Sequence, residues 1–262
     1  RSVVKEEKRQ RVDNQPYASF ITETFKRMFK EHPYNWVPIG SMEHLDAAQQ
    51  EDYVDFYRTF YVPANATISI AGDINIEDTK KWVATYFGTM PKGQAINLFR
   101  DFEEMDDKAF VAKYAVSKDK FDANNFMKSK DKAAAALLSK YANTPIEIPR
   151  PEKVTEKLDG VIKDVVYDNI QLPAIFMSYQ FPENTHKDMY ALEMMNEVLS
   201  GGASSRINKT LVERKQMASF AFSFAYGLED AGLGIFAAIA AKDKSLDDIQ
   251  TEFDAQIELI KN

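Results

Sequence analysis

The strongest constraint on the fold comes from the C-terminal part of the chain, where segments with strand character alternate with helical ones. The strand candidates are rich in β-branched, aromatic and small apolar residues and end at turn-forming residues. They are Gly160–Tyr167, Ala174–Phe181, Ala218–Gly227 and Gly232–Ala241. The intervening patterns predict helices at Lys187–Leu199, Ser204–Arg214 and Ser245–Ile260. Strands that pair beside a layer of helices indicate the α+β class.

The N-terminal part of the chain is mostly helical. Apolar residues between Tyr17 and Phe29 recur at the spacing of a helical face, which predicts a helix there. This helix should end before His32-Pro33, because the residue preceding a proline is disfavoured in the α region. The next predicted elements are a helix at about Asp46–Phe60, a strand at Ala66–Ala71, and a helix at Glu77–Phe87 that Asn75 can cap.

The segment 95–143 differs in character from its neighbours. Charged residues of both signs alternate there with Phe and Ala, and the segment ends in the helix-forming stretch Lys130–Tyr141. We therefore predict a helical insertion with one shallow apolar face, outside the α+β cores. Pro145, Pro149 and Pro151 then favour a stiff, extended linker.

Composition excludes several classes of protein. The chain has 33 basic and 40 acidic residues, a net charge of −7, so it lacks the basic surface of a general nucleic-acid binder. Cysteine is absent, which excludes disulfides, thiolate nucleophiles and Cys-ligated metals and suits an oxidising compartment. The longest apolar run, Ala231–Ala241, is far shorter than the roughly 17 to 25 residues of a membrane-spanning helix. Because the chain opens at Arg1 without Met and closes mid-pattern, we expect it to be a piece of a longer protein.

Short catalytic motifs are missing from this sequence. The three histidines, His32, His44 and His186, are too far apart to form a zincin or inverzincin motif, and there is no phosphate-binding loop or nucleophile elbow. Gly201-Gly202 before Ser204-Ser205-Arg206 has two interpretations. One is an anion-binding helix start, and the simpler one is a loop that closes one helix and caps the next.

A single carboxylate near the N-terminus has an unusual setting. At helical spacing Val3, Glu7, Gln10 and Asn14 share one stripe, which places Glu7 among amide groups rather than on a plain charged face. Without further information, this pattern is typical of a solvated helix glutamate.

Five stretches of the sequence follow one another in the order found in a known family. They are VVKEEKRQRVDNQPY, HPYNWVPIGSMEHLDAA, YVPANATISIAGDI, YFGTMPKG and LSGGASSRINKTLVERKQMA. Together they resemble the landmarks of the insulinase-like, pitrilysin-type zinc metallopeptidases, family M16. The resemblance covers Arg1–Gly93 and about Leu158–Asn262 and leaves only the insertion unmatched.

The resemblance implies α+β units of the LuxS/metallohydrolase-like type, each an antiparallel sheet with helices packed on one face. Residues 1–94 would be the latter part of a first unit, and residues 95–157 the helical insertion and linker. Residues 158–262 would form a second unit whose C-terminal part is missing.

The resemblance also implies a zinc site. Family members bind zinc through both histidines of a His-x-x-Glu-His helix, whose Glu activates the attacking water, and through a downstream Glu of a Val-Val-x-x-Glu helix. Glu7 matches this third ligand, while Glu6 stands where many relatives have Asn. The His-x-x-Glu-His motif is absent from this sequence. We therefore expect the catalytic residues to lie outside this chain, which alone should bind zinc weakly and hydrolyse no peptides.

The second unit resembles the substrate-holding half of the family. Its equivalent of the zinc helix, Met189–Leu199, contains no histidine. Many relatives grip the substrate backbone with an Arg and a Tyr, where this chain has Val212 and Ser219. Arg206 and Arg214 are the candidates for replacing that grip.

Two functions follow from the resemblance. The first is a segment of a zinc metalloendopeptidase that encloses and hydrolyses unfolded peptides, completed by a missing N-terminal part or by a second M16 subunit. The alternative is a catalytically inactive homologue that acts as a partner or scaffold subunit. Glu7 favours the first function, and the missing Arg and Tyr favour the second. The bacterial periplasm or cell envelope is the expected location.

Overall fold

The computed structural model describes residues 1–122, 125–129 and 131–261. Contacts divide the chain into two compact units. Unit 1 joins Arg1–Ala47 to Glu152–Asn262, and unit 2 is the intervening segment Ala48–Pro151. These units are segments of this chain that pack on themselves. The family units expected at 1–94, 95–157 and 158–262 remain a prediction.

Helices make up most of the regular structure in both units. In chain order the elements are α1 (Ser2–Lys8), a π-helical turn (Arg9–Asp13), α2 (Phe20–Met28), α3 (Met42–Ala47), α4 (Gln50–Phe60), α5 (Ile76–Phe87), α6 (Ala95–Glu104), α7 (Asp107–Tyr114), α8 (Lys132–Ala142), β1 (Ala174–Phe181), α9 (Met189–Ser200), a π-helical segment (Asn208–Arg214), β2 (Ala218–Gly227), β3 (Gly232–Ala240) and α10 (Leu246–Lys261). Within the described ranges, no helix combines the length and the apolar character that crossing a bilayer requires.

The sheet of unit 1 is antiparallel and has the order β1-β3-β2, so β3 is its central strand. β1 pairs with β3 from Ala174 opposite Ile239 to Phe181 opposite Gly232. β2 pairs along the other side of β3, with an irregularity after Ala218. These three strands confirm the sequence prediction, with β3 one residue shorter than expected.

The sheet separates two apolar cores. Successive residues of a strand point to opposite faces, so the neighbours Ile235 and Phe236 of β3 belong to different cores. Phe236 packs with Leu199 of α9, Leu211 of the π-helical segment and Phe253 of α10. Ile235 packs with the buried apolar residues of α2. The α+β class and the antiparallel sheet with a helical layer are therefore confirmed, and α2 covers part of the opposite face.

Two of the predicted strands, Ala66–Ala71 and Gly160–Tyr167, are wrong. Neither segment forms a ladder with any described residue. Their apolar side chains remain in solvent, since Ile70 is 48% exposed and Tyr167 is 93% exposed. A β-rich composition favours a strand only where a neighbouring strand and a packed face are available, and the described residues supply neither here.

Hydrogen bonds from capping side chains determine where several of the helices begin. The predicted helix Asp46–Phe60 is interrupted between α3 and α4, where the backbone N–H of Gln49 donates to Asp52 Oδ2 at 2.7 Å and fixes a new helix start. The predicted Asn75 cap is confirmed, because its side chain accepts a hydrogen bond from the N–H of Asp78 at 3.0 Å. Most of the predicted helix Ser204–Arg214 is the π-helical segment.

The segment 95–143 forms three helices, α6, α7 and α8, that enclose a core of their own. Its buried members are Leu98, Phe110, Tyr114, Phe121, Phe126, Ala134 and Leu138. The expectation of one shallow apolar face is therefore wrong, because Phe residues at irregular spacing meet only when the helices fold onto one another. At the base of this segment the N–H of Gln94 donates to the backbone oxygen of Thr144 at 2.9 Å. Lys130, the predicted first residue of the last helix, lies outside the described residues.

A buried carboxylate joins three helices of unit 2. Asp101 of α6 is 1% exposed and accepts hydrogen bonds from Arg58 Nη1 of α4 at 2.6 Å and Lys113 Nζ of α7 at 2.6 Å. The hydroxyl of Tyr114 donates to the same carboxylate. Burial alone raises the pKa of Asp101, but these donors outweigh it and hold the pKa below its ordinary value. Arg58 also binds Glu104 at 2.8 Å.

Candidate functional site

Glu7, the proposed metal ligand, lies on α1 and is accessible. Its side chain is 42% exposed and its Oε1 is 3.3 Å from Nε of Arg11, one helical turn away. The expected amide setting is wrong, because the side chain of Gln10 donates to Glu6 instead, at 3.2 Å. Within the described ranges no three His, Cys, Asp or Glu residues come together to hold a metal ion. The described part of this chain therefore does not form a zinc site by itself.

Two of the three histidines accept backbone hydrogen bonds, and the third is exposed. His32 is 2% exposed, and its Nδ1 accepts a hydrogen bond from the N–H of Tyr34 at 3.0 Å. His186 Nδ1 accepts one from the N–H of Asp188 at 3.2 Å. His44 is exposed on α3. The structure brings none of them next to Glu7 as a joint metal site in the described part of the chain.

Arg206 is held in a polar cluster on α10. Its Nε donates to Gln256 Oε1 at 3.2 Å, and Gln256 in turn donates to Glu252 at 2.8 Å. Lys215 also binds Glu252, at 2.5 Å. Arg214, in contrast, is exposed. Arg206 thus has a packing role within unit 1, and Arg214 is the more accessible of the two candidates for binding a substrate.

The glycine pair after α9 matches the simpler of its two interpretations. The N–H of Gly201 donates to the backbone oxygen of Glu197 at 2.7 Å, which closes the helix. Gly202 has a φ of +84°, a left-handed conformation that glycine adopts at little cost. Together they form a helix-ending loop.

A polar pocket lies between α9 and β2. It has a volume of about 240 Å³ and is lined by Glu193, Asn196, Glu197, Ser200, Gly201, Ser223, Phe224 and Ala225. Sequence reasoning missed it, because residues of α9 meet those of β2 only after the helix packs on the sheet. The spacing of Glu193, Asn196 and Glu197 places them on one helical face, a polar stripe that could have marked α9 as one wall of a site but not β2 as the other.

The opposite face of the sheet carries an apolar pocket of about 220 Å³. Its lining includes Tyr17, Phe20, Phe176, Phe220 and Phe222. Phe20 of α2 stacks on Phe176 with ring centroids 4.7 Å apart, and Phe220 remains 54% exposed. Among the described residues no carboxylate or imidazole lines this pocket, so it offers packing surface rather than chemistry.

Glu156 fastens the linker to the end of α2. Its carboxylate accepts hydrogen bonds from the backbone N–H groups of Lys30 at 2.5 Å, Glu31 at 2.8 Å and His32 at 3.1 Å. Burial raises the pKa of Glu156, but the three N–H groups outweigh it and hold the pKa below its ordinary value. This arrangement is a structural cap made by three backbone donors.

The fold and the order of helices and strands match those of a known class of peptidase domains. The family model described as "Peptidase M16 inactive domain" matches residues 47–262. The chain belongs to this family.

Particular relatives agree with this assignment. The chain is 28% identical over 262 residues to "Zinc protease PqqE" of Helicobacter pylori (strain ATCC 700392 / 26695), with 100% of this chain and 48% of that protein covered. A crystal structure of a protease from Helicobacter pylori superposes with a TM-score of 0.73 at 26% identity, covering 99% of this chain and 51% of that one. The resemblance to M16 peptidases is confirmed, and the chain spans about half the length of these relatives.

More distant structures share the fold alone. The M16 inactive domain from Pseudomonas fluorescens superposes with a TM-score of 0.58 at 13% identity, covering 100% of this chain and 52% of that one. A chain of complex III2 from Candida albicans superposes with a TM-score of 0.54 at 12% identity, covering 90% of this chain and 45% of that one. At these identities only the architecture is comparable.

Proposed function

We propose that this chain is the substrate-holding segment of a zinc-dependent M16 endopeptidase that encloses and hydrolyses unfolded peptides. The observation that carries the proposal is the match of the whole chain to half of a protein named as a zinc protease. The described residues form no complete metal site, so in this proposal the zinc ligands of the His-x-x-Glu-His motif come from the longer protein or from a second subunit.

Glu7 is the one residue that we propose as a ligand from this chain. Its carboxylate is accessible and is paired across one helical turn with Arg11. Such a pair stabilises a helix by no more than about 0.5 kcal/mol. Exchanging it for a metal ion is therefore not opposed by a strong existing interaction.

The sheet of unit 1 offers a way to hold a peptide. Because the order is β1-β3-β2, β1 and β2 each have one side that pairs with no strand in the part of the chain that the structure describes. An extended peptide can add to such an edge through backbone hydrogen bonds that do not depend on its sequence. This property suits an enzyme that binds unfolded chains.

The alternative function, an inactive partner or scaffold subunit, is favoured by the residues at the substrate-gripping positions. Val212 packs against the core between the sheet and α10. The hydroxyl of Ser219 donates to the backbone oxygen of Ile239 at 3.3 Å, within the sheet. Neither side chain can supply the charged and aromatic contacts of the usual grip.

A peptidase assay of the full-length protein separates the two functions. We expect cleavage of a quenched fluorescent peptide that stops when a zinc chelator is added and returns when zinc is restored. A full-length protein that is folded and zinc-supplied but cleaves none of a set of unstructured peptides would support the scaffold function instead.

A further inference from the structure

The polar pocket between α9 and β2 contains buried hydrogen-bonding atoms without a partner. Asn196 is 6% exposed and Ser223 is 8% exposed. Asn196 Oδ1 and Ser223 Oγ have no hydrogen-bond partner among the described residues. Buried polar atoms in native proteins are almost always paired, because an unpaired one loses its bonds to water without replacement. A bound group would satisfy both atoms.

A hydrogen bond from the amide nitrogen of Asn196 fixes the orientation of its side chain. Its Nδ2 donates to the backbone oxygen of Leu192 at 2.9 Å, so Oδ1 is the free end of the amide and can only accept. On β2, the N–H of Ser223 donates to Ser200 Oγ at 2.9 Å, which ties the strand to the end of α9. Both unpartnered oxygens thus sit on anchored elements at one pocket.

The charge of the pocket selects the ligand. Glu193 and Glu197 line it, and among the described residues no Lys, Arg or His does. A Cβ at Gly201 would lie 2.2 Å from Glu197 Oε1, so the glycine leaves room for this carboxylate beside the pocket. Carboxylates with an acceptor-only amide oxygen favour a positively charged hydrogen-bond donor.

The size and lining of the pocket further restrict the class of ligand that can bind there. Its volume of about 240 Å³ is several times the roughly 30 Å³ share of one water molecule. The pocket has two carboxylates, and among the described residues no three His, Cys, Asp or Glu come together to hold a metal ion. Ala225, on the same face of β2 as Ser223, adds apolar lining, which suits an alkyl stem below a charged head.

We propose that this pocket binds an alkylammonium group, in the form of a lysine side chain of a bound peptide. The three ammonium hydrogens are directed to Asn196 Oδ1, Ser223 Oγ and the carboxylate of Glu197, and the methylene stem lies against Ala225. The preference for an alkylammonium group follows from the charge and the hydrogen-bond acceptors of the pocket alone. Its assignment to a peptide rests on the proposed function.

Binding to the full chain tests the proposal without any cleavage. The probes are a capped peptide Ac-Ala-Lys-Ala-NH2, its norleucine analogue, its trimethyl-lysine analogue, and spermidine, each titrated by calorimetry and by the side-chain amide NMR signal of Asn196. We expect the lysine peptide to bind about tenfold or more tightly than the norleucine and trimethyl-lysine peptides, which lack the charge or the donors. Tighter binding of spermidine than of the lysine peptide would overturn the assignment to a peptide side chain.

Variants locate the site. We expect Asn196→Leu and Glu197→Gln each to weaken the lysine peptide about tenfold, and Glu213→Gln, an exposed control on the π-helical segment, to leave binding unchanged. If Asn196→Leu fails to fold, Ser223→Ala gives the same readout. Equal binding of the lysine and norleucine peptides, no binding of any probe, or an Asn196-dependent response to calcium alone would overturn the proposal. If one of these results is found and the full-length protein still cleaves peptides, the proposal for this pocket is wrong while the proposed function stands.

Discussion

Replacing Asp101 with asparagine tests whether the buried carboxylate of unit 2 stabilises the helical segment 95–143. The variant keeps the side-chain size but removes the charge that faces Arg58, Lys113 and Tyr114. Removing one partner of a buried ion pair typically costs about 3–5 kcal/mol. Here Arg58 is 22% exposed and Lys113 is 47% exposed, so water can reach both cations. We therefore expect a loss of about 2–3 kcal/mol in the free energy of unfolding.

The assay is urea denaturation followed by circular dichroism, with Glu104→Gln as the matched control. Glu104 binds the same Arg58, but its side chain is 60% exposed, so its removal should cost less than about 1 kcal/mol. If Asp101→Asn and Glu104→Gln lose the same free energy within about 0.5 kcal/mol, the reasoning that burial makes Asp101 important is refuted.

The pH dependence gives a second readout for Asp101. Its pKa in the folded protein is below its ordinary value, so its contribution is present at neutral pH and is lost as the pH falls through the folded-state pKa. The difference between wild type and Asp101→Asn should be constant from about pH 7 to pH 5 and should shrink below about pH 4. A difference that grows on acidification would contradict this assignment.

Three further predictions concern activity and domain structure. The isolated chain should show no chelator-sensitive cleavage of a quenched fluorescent peptide with added zinc, because its described residues form no complete metal site. In the full-length protein, Glu7→Gln should lower the zinc content measured by atomic emission while the melting temperature stays unchanged, and full zinc content would make Glu7 a solvated helix residue. Excision of residues 94–143 should leave a soluble protein that melts cooperatively, because that segment has its own core and its ends meet between Gln94 and Thr144. Aggregation of the deletion variant would show that the segment supports the rest of the chain.

The elements that could be predicted from sequence are those with a complete local signal. β2 and β3 are rich in apolar and aromatic residues and end at turn-forming residues, and α5 begins at a capping asparagine, Asn75. Gly160–Tyr167 is also rich in β-branched residues but forms no ladder with any described residue. Pairing depends on a neighbouring strand, which the composition of one segment does not encode.

The candidate site shows the same limit. The pocket joins Asn196 of α9 to Ser223 of β2, and nothing in either segment alone indicates that they meet. Glu7 was found through the resemblance of its surrounding motif, and the structure adds its exposure and its pairing with Arg11. Family motifs identify positions, whereas unpartnered buried atoms appear only in three dimensions.

The division of unit 1 into two separate stretches has a consequence for how the chain folds during synthesis. Phe25 of α2 packs against Leu233 and Ile235 of β3, with all of unit 2 between them in sequence. Contacts over such separations form slowly, and domains tend to fold in the order in which they leave the ribosome. We expect the helical core of unit 2 to form first, while the apolar side of α2 remains uncovered until β3 has been synthesised. The growing chain therefore carries an exposed apolar surface on α2 throughout the synthesis of unit 2.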